Sequence, residues 1–528
     1  MPMDQGSMST FMKLARLGIA AGSFALLFTS GCQLPQSGDG AADESPIVIG
    51  TASRLTSLDP AGVYDNGSWA VFSNIFQSLL SFGPGSPVPK PDAAEFCAFT
   101  GPALTAYRCK IRGGLTFSSG NPLTASAVKR SFDRILRIRD PLGPSSLFAG
   151  LVLVEARGPF VTFHLAAADA TWPSKIATGA GSIVDPAEFP ANRLRAEKSA
   201  SGSGPYLLAS YQEGKSLTLE PNTAYRGAVT TRGVAVEVRY FETSKEVEEA
   251  WNARTVDIAY AGLPAATLAG IDPGDEDVRL SVGDSAEAHY LVLNLNSPRK
   301  PLGHVAARRA VAALIDRGRL AGEVFKHTVT PLYSLVPQGV AGHSTAFFDR
   351  YPEADPGYAA QRLRSAGITT PVRIRLGHQP GTAAVEAREL KRQFEKGGLF
   401  RVELVEERDF TTYQKRCLKG EFDIHLYQWV PDFPDADTFV QPLVGAGNVL
   451  ANGYASAEVD HVIRETQRFT DRGRATKQFR SIQDTVAKDA PLIPVWHRQR
   501  QVVTRSAVLG GHRLAEDAVW RLWELRRL

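Results

Sequence analysis

Leu291-Val292-Leu293-Asn294-Leu295 is apolar almost without interruption, the pattern of a strand covered on both faces. Behind it Ala310, Val311, Leu314 and Ile315 recur at helical spacing. The same succession runs along the chain. Val234-Ala235-Val236-Glu237-Val238 and Val372-Arg373-Ile374-Arg375-Leu376 alternate and predict strands with one buried face. Thr124 has the chemistry of an N-cap, and Val128, Phe132, Ile135 and Leu136 form the stripe of a helix behind it. Phe479, Ile482 and Val486 mark another helix, stopped by Pro491, after which Leu492-Ile493-Pro494-Val495 returns to extended chain. Strands and helices alternating over this length predict an α/β protein. No internal repeat is visible.

The N-terminus predicts export. Lys13 and Arg16 are a short positive region, Leu17–Phe28 is an apolar stretch of twelve residues, and Thr29-Ser30-Gly31 leads into Cys32. Twelve apolar residues are too few to cross a hydrocarbon layer about 30 Å thick, and the layout is that of a lipoprotein signal over residues 1–31 with Cys32 as the lipidation site. Thr29 stands where leucine is usual, and the alternative is an ordinary cleaved secretory signal with Cys32 incidental. Residues 32–46, rich in Gly, Ser, Asp and Ala, read as a flexible tether, with folded structure beginning near Ile47. The remaining chain exceeds one compact core, so at least two lobes are expected.

A net charge of +4 from 59 basic and 55 acidic residues is scattered, with no basic run interleaved with aromatics, which argues against nucleic acid as a partner. Cys97 and Cys109 lie twelve apart in an exported chain, where a disulfide persists; the alternative is a pair of buried thiols, and Cys417 is left without a partner. The ten histidines are dispersed, so neither a metal site nor a cofactor is expected.

Catalytic motifs fail on inspection. Gly214-Lys215-Ser216 suggests a phosphate loop, but Ala209 stands where its first glycine belongs, and the segment lies between two strand candidates, as a hairpin turn would. Ser126-Ala127-Val128-Lys129 matches the SxxK of penicillin-binding enzymes, but Ser119-Gly120-Asn121 precedes it instead of following and no KTG follows. A binding protein, and no enzyme, is the expectation.

Several segments, in order, resemble the extracellular solute-binding proteins of family 5, which serve bacterial ABC importers of oligopeptides, dipeptides and nickel. These are Leu58-Asp59-Pro60, then Tyr107-Arg108-Cys109-Lys110-Ile111-Arg112-Gly113-Gly114-Leu115-Thr116-Phe117 continued by Gly120–Ala125, then Gly204-Pro205-Tyr206 with Asn222-Thr223-Ala224-Tyr225. Asn294 with Arg308-Arg309-Ala310 and Ile315-Asp316-Arg317, Trp429-Val430-Pro431-Asp432-Phe433-Pro434-Asp435, and Pro491–Val495 complete the set. The resemblance runs from about residue 47 to the C-terminus.

It implies a two-lobed periplasmic-binding-protein fold of type II with an extra N-terminal subdomain and the ligand enclosed between the lobes. The first lobe would span about 47–295 with an inserted subdomain at about 86–199, the second 296–500, and 501–528 would return to the first. The implied function is peptide capture and delivery to a membrane permease driven by a separate ATPase, by a monomer held on the outer face of the cell membrane. A non-peptide solute such as a metal chelate or oligosaccharide, or a scaffold role, stays open. The resemblance places the ligand's amine anchor at Asp432, with Trp429 walling the pocket and Phe433 beside it; the same loop is also rich in turn formers, and Asp435 reads as one. Trp429 reads equally as lobe core. Asp59 reads as a turn former and His497 as structural.

Overall fold

The computed structural model describes residues 45–528 apart from Arg232, Ala261, Asp517 and Ala518; the signal, Cys32 and nearly all of the tether lie outside the described residues. Its backbone is an eleven-stranded mixed sheet. The sheet's strands run, in spatial order, Phe400–Glu406, Val372–His378, Ile424–Trp429, Val278–Leu293, Leu492–Arg505, Ile258–Tyr260, Ile47–Thr51, Val236–Tyr240, Ser216–Pro221 and Tyr206–Gln212, with the short Thr330–Pro331 beside Leu492–Arg505.

Two long antiparallel strands join the halves of this sheet. Val278–Val282 pairs with Gln501–Arg505, and after a register break Ala286–Val292 pairs with Leu492–Gln499. A side chain on Gly283, at the break, would collide with the backbone of Ala515, so only glycine permits that close approach. On one side of the passage Ile47, Ile49, Val236, Val238, Ile258 and Val502 are buried in a first core; on the other, Ala288, Tyr290–Leu293, Ile374, Ile424 and Ile493 belong to a second. The two cores are the two lobes.

The first lobe carries a separate antiparallel sheet in the order Ala94–Phe99, Ala106–Ile111, Phe160–Leu165, Leu151–Arg157. Cys97 and Cys109 face each other across its first pair and form a disulfide, while Cys417 is a buried free thiol. Helix Ala125–Ile138 covers the sheet. Thr124 Oγ1 accepts from Ala127 N, and Val128, Phe132 and Ile135 point inward, with the Phe132 ring 4.8 Å from that of Phe163. Gly214-Lys215-Ser216 is a hairpin: Gly214 takes φ +69°, and Lys215 N donates to Gln212 O at 2.9 Å between the antiparallel strands Tyr206–Gln212 and Ser216–Pro221. Among the described residues no helix is long and apolar enough to cross a membrane.

Candidate solute-binding cavity

In the second lobe, strands Val372–His378 and Ile424–Trp429 are parallel neighbours. The chain leaves the first through helix Thr382–Glu395 toward Phe400–Glu406 on one side, then returns through helix Phe410–Leu418 to the second on the other. Where successive connections diverge in this way, a crevice opens beyond the carboxyl ends of the strands. Tyr413 sits in it, its hydroxyl bonded to Gly377 O at 3.1 Å and Leu426 O at 2.9 Å. The crevice is continuous with a cavity of about 480 Å³ that both lobes line, a volume in the range that encloses small organic ligands.

One wall is aromatic. Trp429 stacks near Tyr427 with ring centroids 6.1 Å apart, and Tyr64 of the first lobe meets Trp429 edge-on at 5.8 Å and stacks on Trp69 at 5.1 Å. Another wall is the face of the crossing strands. Glu287 pairs with Arg498 at 2.9 Å, and His289 stacks on Trp496 at 4.4 Å. Buried Glu386, from helix Thr382–Glu395, accepts from Trp496 Nε1 at 3.0 Å and lies 3.2 Å from His289 Nδ1. Arg500, also buried, completes this wall, its guanidinium 5.6 Å from the Tyr260 ring centroid. His425 lines the cavity as a neutral imidazole, because burial pushes its pKa down to about 3.

Asp432 and Trp429 both line the cavity. Asp432 is buried, accepts from the Tyr64 hydroxyl at 2.5 Å, and donates its backbone N–H to Thr438 Oγ1 at 2.9 Å. Thr438 O in turn accepts from Trp429 Nε1 at 2.9 Å, so one threonine positions both residues. Burial raises the Asp432 pKa to about 7, against the opposing pull of the Tyr64 and Thr438 hydrogen bonds and the Lys175 charge. The same desolvation, with the Asp432 charge beside it, holds the Tyr64 phenol well above its ordinary range.

Phe433 is not part of the cavity lining; it packs into the core of the first lobe. Asp435 accepts from Asp437 N at 2.8 Å and holds Arg472 through both oxygens at 2.7 and 3.1 Å, as a loop-forming residue does. Asp59 caps the turn Pro60–Gly62 and, fully buried, pairs with Arg134 through both oxygens at 3.0 and 2.7 Å. His497 pairs through its backbone with Thr330 and lies off the cavity. The sequence reading missed Tyr64, Glu386, His289 and the Glu287–Arg498 pair. A local signal existed only for Arg498 of this set: with Trp496 and Arg500 it alternates along one strand, which places the three on one face.

Residues 89–450 match the family described as bacterial extracellular solute-binding proteins, family 5 (middle region). The probable D,D-dipeptide-binding periplasmic protein DdpA of Escherichia coli K12 is 25% identical over 485 residues, covering 89% of this chain and 92% of that protein. The ABC transporter-associated periplasmic binding protein DppA from Helicobacter pylori, solved in complex with the peptide STSA, superimposes with a TM-score of 0.81 at 19% identity, covering 92% of this chain and 98% of that one. AgaA of A. tumefaciens R10, solved with agropinic acid, gives the same TM-score of 0.81 at 18% identity over 92% and 99% of the two chains. The fold is therefore the two-lobed one of periplasmic binding proteins, and these relatives bind solutes outside the cytoplasm and are not enzymes. The family match spans more than half of the chain, and the cavity lies between the lobes: the chain belongs to the bacterial extracellular solute-binding proteins of family 5.

Proposed function

We propose that this protein is the solute-capturing lipoprotein of an ABC importer and that its solute is a short peptide with a free amino terminus. The observation that supports it is the carboxylate of Asp432 on the wall of an enclosed cavity, beside Trp429 and Tyr64. An ammonium group brought there meets a largely desolvated acceptor, and another wall carries the guanidinium groups of Arg498, which pairs with Glu287, and Arg500. A zwitterion matches a cavity with both signs on its walls. The dipeptide- and peptide-binding relatives support the same class of solute. Because each lobe supplies part of the lining, solute favours the closed arrangement, which a membrane permease then recognises. We place the division between lobes near residues 286 and 500, where the crossing strands pass from one core to the other.

Calorimetry with L,L- and D,D-alanyl-alanine and their N-acetyl forms tests this. Asp432→Asn keeps the shape and removes the charge. It should weaken free-amine binding by on the order of 30-fold or more, because truncating one partner of a desolvated pair costs about 2–5 kcal/mol. N-acetylation should weaken binding to the unmutated protein comparably. Equal affinity of the variant and the parent for the free-amine peptide would remove Asp432 as the anchor. Failure of every peptide to bind the parent would transfer the site to a non-peptide solute, the reading the agropinic acid complex of AgaA favours.

A further inference from the structure

The loop after strand Ile424–Trp429 does more than present Asp432 to the cavity. The next residue, Phe433, is 3% exposed and buried in the core of the opposite lobe. Tyr64 of the first lobe packs against the cores of both lobes, so aromatic side chains from the two lobes meet at this seam.

A small crevice beside Phe433, separate from the solute cavity, is shared by both lobes: Tyr64, Leu147 and Lys175 from the first, Phe433, Asp437 and Thr438 from the second. Lys175 is buried and bonded to Asp169 at 2.8 Å, and the buried Asp437 faces it from the second lobe. Arg472 and Asp435 stand behind Asp437, and Ala170 N donates to Gln467 O at 2.7 Å across the same seam. An apolar plug, the Lys175–Asp169 pair with the charge of Asp437 across the crevice from it, and a backbone hydrogen bond between the lobes therefore lie together outside the cavity.

We propose that Phe433 is a positioning residue for solute capture: with Lys175 and Asp437 it docks the second lobe on the first and fixes the solute-enclosing arrangement without touching solute. The arrangement of two lobes on a hinge is an equilibrium, and contacts present only in the closed form set its position. A docking contact of this kind changes the apparent affinity of every solute by one factor, the population of the binding-competent form. Asp432 differs, since it acts on the solute's amine. The inference needs the two-lobed fold and no identity of solute, so it survives if the peptide reading fails.

Small-angle X-ray scattering on the exported folded protein without added solute provides the test, with circular dichroism and thermal melting alongside. Phe433→Ala should raise the radius of gyration and maximum dimension measurably while the circular dichroism spectrum stays that of the parent. Phe433→Leu, which refills the socket, should restore the parent's compactness. A Phe433→Ala protein that is folded and melts earlier but scatters like the parent would show an ordinary core residue and overturn the proposal. If Phe433→Ala does not fold, Lys175→Met decides: expansion of the folded variant supports the docking role, and unchanged scattering overturns it.

Discussion

With no ammonium group beside it, Asp432 keeps its proton to a higher pH than an exposed aspartate does. Its pKa is raised to about 7 by burial, and that of Asp437 to about 6 for the same reason. Tyr64 and Tyr427 face Asp432, with Asp437 and the Lys175 charge close by; Lys175, Arg472, Asp169 and Asp435 face Asp437. In the unfolded chain both carboxyls titrate near the usual aspartate value of about 3.9. Between that pH and their folded values the native state binds more protons, so the free energy of unfolding falls as pH rises through this window. The carboxyls held low by hydrogen bonds or cations, such as Asp169, Asp185 and Asp409, work in the opposite sense, but below the window. Buried His425 and half-buried His497, held toward the neutral form in the folded chain, work in the opposite sense up to about pH 6.5, so the expectation is a difference between two proteins: without added solute the parent should lose more melting temperature between about pH 5.5 and about pH 8 than the Asp432→Asn, Asp437→Asn double variant does. Calorimetric melts of both proteins across this range check it; identical slopes would show that these two groups do not titrate there. Asp432 itself was legible, because it stands inside a block of recognisable order. Tyr64 was not: its hydroxyl reaches Asp432 from 368 residues away, and nothing in Val63-Tyr64-Asp65 distinguishes it from a core aromatic.

Helix Ala125–Ile138 shows what an element needs to be readable: a cap and an apolar stripe, both local. What the stripe does not reveal is Arg134 on the same helix. Its guanidinium is buried, bonded to Asp59 through both carboxylate oxygens and to Pro190 O at 2.5 Å, and so joins the inserted sheet's helix to two distant stretches of the first lobe. Asp59 also accepts from Arg195 N at 2.8 Å. The turn-forming role read from Asp59-Pro60 is real, and the ion pair is added by the fold. Removing one member of a buried pair leaves the other charge unmatched and costs about 3–5 kcal/mol, whereas replacing both is far milder. Arg134→Met should lower the urea midpoint strongly, and adding Asp59→Asn should recover much of the loss. No recovery in the double variant would mean that the hydrogen bonds to Pro190 and Arg195, rather than the charge pairing, dominate at this site. The crossing strand Val278–Leu293 is the contrary case. Only its last residues were read as strand, because Leu280 and Val282 are largely exposed and their alternation does not report a buried face.

Neither lobe is a continuous stretch of sequence. Val278–Val282 and Gln501–Arg505 pair beside the first core, and the rest of the same two strands builds the second. A passage made of paired strand has no Gly-, Pro- or Ser-rich linker to betray it, so chain length indicated more than one lobe while only the resemblance in motif order suggested where they divide. Attachment is a property of the whole molecule that the folded body does not determine. The first strand begins at Ile47, and Cys32 precedes it by a polar segment of sequence. We propose that acylation of Cys32 holds the protein at the outer face of the cell membrane. Each buried methylene of an acyl chain adds about 0.8 kcal/mol, so chains on one cysteine suffice for attachment where two or more are present. Since Cys32 lies ahead of every residue that lines the cavity, Cys32→Ala should move the exported protein from the membrane to the soluble fraction and leave its solute affinity and melting temperature unchanged. Fractionation with labelled palmitate, followed by calorimetry on the released protein, separates the outcomes. Parent protein that carries no label and is recovered entirely from the medium would show that the signal is an ordinary secretory one and Cys32 incidental. Labelled parent whose Cys32→Ala variant loses affinity as well as attachment would show that the lipid anchor and the lobes are coupled, contrary to a body that folds and binds independently of its tether.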